Sequence, residues 1–104
     1  MTYLPRPFQD FREKHNDVWA AYEDLASLCH QGPLDSRARE LVKLGIAIGA
    51  SAEGAVKSHA RRALEQGATA EEVEHAVVLA LTTVGFPAMI AARGWVQEVI
   101  EAKA

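Results

Sequence analysis

The sequence predicts an all-α fold, a small bundle of five to six helices, and three observations carry that expectation. Apolar residues recur at intervals of three and four along several segments. No segment sustains the period-two alternation of a half-buried strand. Proline and glycine cut the chain into helix-sized pieces at Pro5 and Pro7, Gly32-Pro33, Gly49, Gly67 and Gly85-Phe86-Pro87.

The first element is expected between residues 7 and 31, as one long helix or two end to end. Phe8, Phe11, Val18, Tyr22, Leu25 and Cys29, with His15 in the remaining slot, form a helical stripe expected to be buried. His30 falls in the last turn, where a cation suits the helix dipole. Asp35 or Ser36 can cap a second helix running to about Gly49. That helix carries Leu41-Val42-Lys43-Leu44-Gly45-Ile46-Ala47-Ile48, apolar nearly all round, so it is expected at the centre of a core or an oligomer interface. A third helix spans about 52–66 and ends at Gly67, suited to a left-handed residue. Thr69-Ala70-Glu71-Glu72 is a capping box. It opens a fourth helix to about Val84, with Val73, Ala76, Val77, Ala80, Leu81 and Val84 on one side. Pro87 suits the first turn of a last helix to about Lys103, whose buried face is expected from Ala88, Ala92, Trp95, Val99 and Ile100.

The chain has 104 residues, 49% of them hydrophobic, and a net charge of -3. That is one domain of ordinary globular composition, 1–104, with an N-terminal helical segment and a core over 35–101. The charge leaves no electrostatic footprint for nucleic acid. No apolar run reaches the roughly 20 residues that span a bilayer, so no membrane partner is expected. The opening Met-Thr-Tyr-Leu-Pro-Arg-Pro has no long apolar stretch, and no secretory leader is expected. One cysteine, Cys29, forbids an intrachain disulfide and suits a reducing cytoplasm. The four histidines show no convincing ligand spacing, so no metal is expected. His75 is expected in solvent, and His15 in a core or interface. The acidic cluster Glu71, Glu72 and Glu74 and the pair Arg61-Arg62 read as solvated faces or salt links between subunits. Two apolar helices in so short a chain point to self-association.

The chemistry centres on Glu40 and His59. If the second and third helices form a hairpin turning near Gly49-Ala50, both positions lie about 14 Å from the turn, level with each other. A carboxylate beside an imidazole is a usable acid/base couple. Lys43 follows Glu40 by one turn, and Ala52 and Ala55 share a face with His59.

Residues 35–101 resemble the carboxymuconolactone decarboxylase and alkyl hydroperoxidase D superfamily. The resemblance rests on Arg39-Glu40-Leu41, Ser58-His59-Ala60-Arg61-Arg62-Ala63-Leu64, Gln66-Gly67-Ala68-Thr69 with Glu71-Glu72, and Val84-Gly85-Phe86-Pro87-Ala88, in that order. It implies a helical fold assembling as trimers or hexamers with sites near subunit interfaces. The peroxidase branch uses a Glu, a Cys-x-x-Cys and a His, matching Glu40, positions 52 and 55, and His59. This chain has Ala52 and Ala55 where the thiols would stand, and alanine neither attacks a peroxide nor forms a disulfide. The decarboxylase branch, which also lacks the dithiol, works without cofactor or metal. The expectation is therefore cofactor-free decarboxylation or isomerisation of a small organic acid or lactone. Glu40 and His59 are its acid/base groups. Lys43, Arg62 and Arg93, or Arg39, are cations for a substrate carboxylate. Two alternatives stand beside it: a non-catalytic ligand-binding or scaffold protein, and residual peroxidase activity through Cys29.

Overall fold

The computed structural model describes residues 5–103. Among them the ordered elements are seven helices, with no strand. The chain divides into two compact units, Met1–Pro33 and Leu34–Ala104. The division falls at the Gly32-Pro33 break.

The first unit holds α1 (Arg6–Lys14) and α2 (Asn16–His30). The N-terminal segment is thus two helices. Pro7 lies in the first turn of α1, where its missing N–H is no loss. The break falls at His15, whose φ of -126° and ψ of 56° leave the helical region. Hydrogen bonds bridge it: the His15 N–H donates to the Phe11 carbonyl at 2.8 Å and the Trp19 N–H to that of His15 at 2.9 Å. Ring contacts reach across it as well, at 5.2 Å for Phe11–His15 and 6.4 Å for Phe11–Trp19, and Trp19 continues the stack to Tyr22 within α2 at 5.7 Å. The expectation of a buried stripe is corrected here. No residue of α1 or α2 is buried. Phe8, Phe11, Val18, Tyr22 and Leu25 are exposed, as are His15 and Cys29. Two short helices packed only on each other cannot enclose a core within their own unit.

The second unit holds α3 (Ser36–Gly49), α4 (Glu53–Glu65), α5 (Ala70–Leu79), α6 (Leu81–Val84) and α7 (Phe86–Lys103). α3 and α4 form an antiparallel hairpin with the most extensive packing in the unit; α7 lies against α4 and α5. The core is built from Leu44, Ile48, Val56, Val73, Val77 and Val96, all under 2% exposed, and from alanines such as Ala60, Ala63 and Ala92. Small residues on α4 and α7 let those two helices approach closely. α3 is apolar all round by sequence but buries only one side: Leu44, Ala47 and Ile48 are inside, and Val42 and Ile46 are exposed. The fourth predicted helix breaks at Ala80 into α5 and α6. Val73, Val77 and Ala80 are buried as expected, whereas Leu81 and Val84, beyond the break, are exposed.

The helix ends follow their side chains. The Asp35 carboxylate accepts from the Ala38 N–H at 2.8 Å and opens α3. α4 closes in a Schellman motif: Gly67, at φ +98°, donates to the Leu64 carbonyl and the Ala68 N–H reaches that of Ala63. α3 closes in the same motif on a non-glycine. Ser51 sits at φ +53°, its N–H donating to Ile48 and the Ala52 N–H to Ala47. A left-handed serine costs about 1–2 kcal/mol. Ser51→Gly is therefore expected to stabilise the chain by about 0.5–1 kcal/mol, after the glycine's greater unfolded entropy. Thermal unfolding should show a rise of a few degrees; a lower midpoint would contradict the account.

The capping box of α5 forms with both hydrogen bonds, Glu72 N–H to Thr69 Oγ1 at 3.0 Å and Thr69 N–H to Glu72 Oε1 at 2.9 Å. Arg37 of α3 adds an ion pair to the same carboxylate at 3.1 Å. The Thr69 backbone N–H, with Arg37 adding to it, holds the Glu72 carboxyl below its ordinary value of 4.5. A lowered carboxyl contributes stability that is complete above the unfolded value and is lost as pH falls through the folded one. Wild-type chain should therefore lose stability relative to Glu72→Gln as pH drops below about 4.5, read by denaturant titration across pH. Parallel pH profiles would remove Glu72 from the account.

Candidate functional site

The Ala50–Ala52 turn sends α4 back along α3, and this decides the site. His59 Nδ1 lies 2.8 Å from Glu40 Oε1, two residues 19 apart in sequence. Glu40 is 7% exposed, and among the described residues it is the buried charged side chain. The His59 side chain is 19% exposed. A buried carboxylate only accepts, so Nδ1 is the protonated nitrogen and its N–H donates to Glu40. Nε2 is left as the nitrogen that can take or give a proton. Among the described residues the His59 ring makes no other hydrogen bond.

The local sequence explains the placement. Glu40 stands one turn before Leu44, on the buried side of α3. His59 precedes Ala60, a fully buried position of α4, so its ring lies at the edge of the packed face. The pairing thus spans the boundary between core and surface. A buried carboxylate without a partner would be costly.

The predicted cations divide. Lys43 is half-buried, one turn after Glu40 on α3. Arg62 is half-buried, one turn after His59 in the last turn of α4. Each thus stands one helical turn from a member of the couple. Arg39 directs Nη1 to the Leu34 carbonyl at 3.1 Å, and its Nε is buried without a partner among the described residues. Arg93 is on α7, with Nε at 3.0 Å and Nη2 at 2.8 Å from Glu74 Oε1. That pair ties α7 to α5. Glu72 and Glu74 therefore make salt links within the chain, to Arg37 and Arg93. Arg37 carried no sequence signal, because its partner lies 35 residues away. His75 is exposed, as expected.

Ala52 and Ala55 occupy the N-cap and the first turn of α4, both half-buried. The N-cap has no side-chain hydrogen bond. This is the end of a helix that favours a thiolate, and no sulfur is there. Cys29 stands on α2, exposed. Among the described residues no group of three His, Cys, Asp or Glu side chains could hold a metal ion. No helix among them is long and apolar enough to cross a membrane.

The sequence model of the carboxymuconolactone decarboxylase family matches residues 16–98. No curated protein matches the chain significantly. Among solved structures, the apo form of a carboxymuconolactone decarboxylase family protein from Legionella pneumophila is similar, with a TM-score of 0.81 and 22% identity. The alignment covers 91% of this chain and 86% of that one. At that identity the likeness speaks for the fold, and it is the match from α2 through most of α7 that decides membership: the chain belongs to the carboxymuconolactone decarboxylase family.

Proposed function

We propose that this chain is a cofactor-free acid/base enzyme that decarboxylates or isomerises a small organic acid or lactone, with Glu40 and His59 as its working pair. The observation that carries the reading is the 2.8 Å contact between a buried carboxylate and a partly open imidazole. Glu40 orients the ring and holds the proton on Nδ1, so Nε2 is the group that meets substrate. In decarboxylation the bond between the carboxylate and its carbon breaks, and carbon dioxide leaves. The electron pair passes into the conjugated carbonyl of the substrate. Protonated His59 then delivers a proton to the carbon, and takes one back from solvent. Lys43 and Arg62 hold the substrate carboxylate; Arg93 could do so only by leaving Glu74. Assembly into trimers or hexamers belongs to the same proposal.

A second reading is favoured by Ala52 and Ala55: a member that binds the family's ligands without converting them. Incubating the wild-type chain and His59→Ala with lactone acids and keto acids, followed by NMR, separates the two. Product formation by wild type that His59→Ala reduces 10²–10⁴-fold is the expected result for general acid–base catalysis. Binding with the ligand recovered unaltered favours the second reading. Turnover equal in both proteins removes His59 from the mechanism. Peroxide consumption abolished by thiol alkylation would instead point to Cys29.

A further inference from the structure

The geometry of the Glu40–His59 couple suits bond formation as well as proton transfer. The His59 Nδ1–H donates to Glu40 Oε1 at 2.8 Å. Nε2 therefore keeps its lone pair, and among the described residues it has no hydrogen-bond partner. A neutral imidazole nitrogen in that state is a nucleophile toward a carbonyl carbon. Helical side chains lean toward the N-terminal end of their helix, so the ring lies over the turn that carries Ala55. Ala55 and Ala52 stand four and seven residues before His59 on that flank, both half-buried. Only glycine would narrow the approach to the ring less than these two methyl groups. His75 of α5 offers a comparison within the same chain. It is exposed, and it makes no hydrogen bond or ion pair among the described residues.

We infer that His59 Nε2 is also a nucleophile, giving the chain acyl-transfer activity toward aryl esters of small acids. Nε2 attacks the ester carbonyl, the Nε2–C bond forms, and the C–O bond to the aryl group breaks. The phenolate leaves with the electron pair. The ring is then a positively charged acylimidazolium, its Nδ1–H still on Glu40. Water adds to the acyl carbon, the Nε2–C bond breaks, and that electron pair returns to the ring. The proton that water loses goes to solvent and balances the one the phenolate takes up. One ester and one water thus give one carboxylic acid and one phenol. Positive charge grows on the ring as the first bond forms, beside a carboxylate that is 7% exposed. A hydrogen bond to a charged group that strengthens in this way is worth roughly 10–100-fold in rate. Aryl esters are the class because a phenolate is a far weaker base than an alkoxide, and an imidazole expels it more readily. The inference rests on the geometry of the couple and not on decarboxylation or isomerisation.

Two measurements test it. Wild-type chain is treated with diethyl pyrocarbonate, which leaves a stable acyl group on a nucleophilic imidazole, and mass spectrometry reads the order of labelling. His59 should be labelled before His75, although its side chain is 19% exposed and His75 lies in solvent. Exposure alone gives the reverse order. The chain, with the exposed Cys29 thiol first blocked by iodoacetamide, is then given p-nitrophenyl acetate, and nitrophenolate release is followed by absorbance. Many turnovers per chain are expected, unchanged in His75→Ala and lost in His59→Ala. Glu40→Gln keeps an acceptor for Nδ1–H and removes the charge. With nitrogen NMR showing the same ring tautomer, its hydrolysis should slow roughly 10–100-fold. Labelling of His75 first overturns the inference. So does release that stops at one equivalent per chain, or a Glu40→Gln variant as fast as wild type. The wild-type comparison of the two histidines needs no substitution, so it decides the matter if circular dichroism shows that Glu40→Gln loses helix. Failure here leaves the acid/base proposal standing, since proton transfer needs no bond to Nε2. A chain that hydrolyses the ester but leaves lactone acids and keto acids untouched keeps this inference and rejects that proposal.

Discussion

Replacing His59 with alanine is expected to remove 10²–10⁴-fold of turnover and about 2–3 kcal/mol of stability. The two losses have different origins. Turnover falls because Nε2 is the proton carrier in the proposed reaction. Stability falls because the Glu40 carboxylate, 7% exposed and held at 2.8 Å by the ring, is left buried without the imidazole that donates to it. A variant that removes both partners separates these effects. Glu40→Leu with His59→Leu replaces the pair by apolar groups, and such exchanges are often neutral or stabilising. The double variant should recover most of the stability that His59→Ala loses, with activity still absent. Glu40→Gln keeps an acceptor at the same place and should lose activity with a smaller drop in melting temperature. If the double variant is less stable than His59→Ala, the buried pair is a net contributor to the fold and the division proposed here is wrong.

Leu44→Ala is expected to be the most destabilising simple truncation. Leu44 is fully buried, and much of the core around it is alanine and valine. A leucine-to-alanine change in such a place costs about 2.7–5 kcal/mol, with the larger values where the surroundings do not collapse. Helices bound by many small residues have little side chain with which to fill the space. For a domain of this size the melting temperature should fall by more than about 10 °C. Leu44 also stands one turn after Glu40 on the same side of α3, so the cavity opens next to the carboxylate. Activity measured well below the melting temperature should therefore fall too, since a wetter Glu40 orients His59 less firmly. Val78→Ala on α5 is the control: at 49% exposure it should change stability by less than about 1 kcal/mol. Similar losses from both substitutions would contradict the account that burial sets the cost at Leu44.

Much of this architecture is local, and local features are legible in a sequence. The Thr69–Glu72 capping box, the Asp35 cap, the left-handed Gly67 and the start of α7 at Phe86-Pro87 all follow from residues within a turn of each other. Their physics is short-ranged: one hydroxyl or carboxylate satisfies one backbone N–H, and one missing Cβ admits one backbone conformation. The level placement of Glu40 and His59 was legible for a similar reason. Two helices joined by a short turn must run antiparallel, and helical rise fixes the height of each residue along them.

Rotation about the helix axis is what the sequence left open, because it is set by all neighbours at once. Only the packed unit turns Glu40 and His59 toward each other, rather than leaving them level but apart. The same collective packing sends Arg93 to Glu74 and Arg37 to Glu72, pairings that no spacing announces. It also decides which apolar stripes find cover. An apolar period states that a face prefers to leave water; whether another element lies there to receive it is a property of the whole fold. The α7 face is received by α4 and α5, while no residue of α2 is buried. Helix boundaries and the height of the candidate couple were thus written in the sequence, and the meeting of its two side chains was decided by tertiary packing, because hydrogen-bonded turns are local and the burial of a face is not.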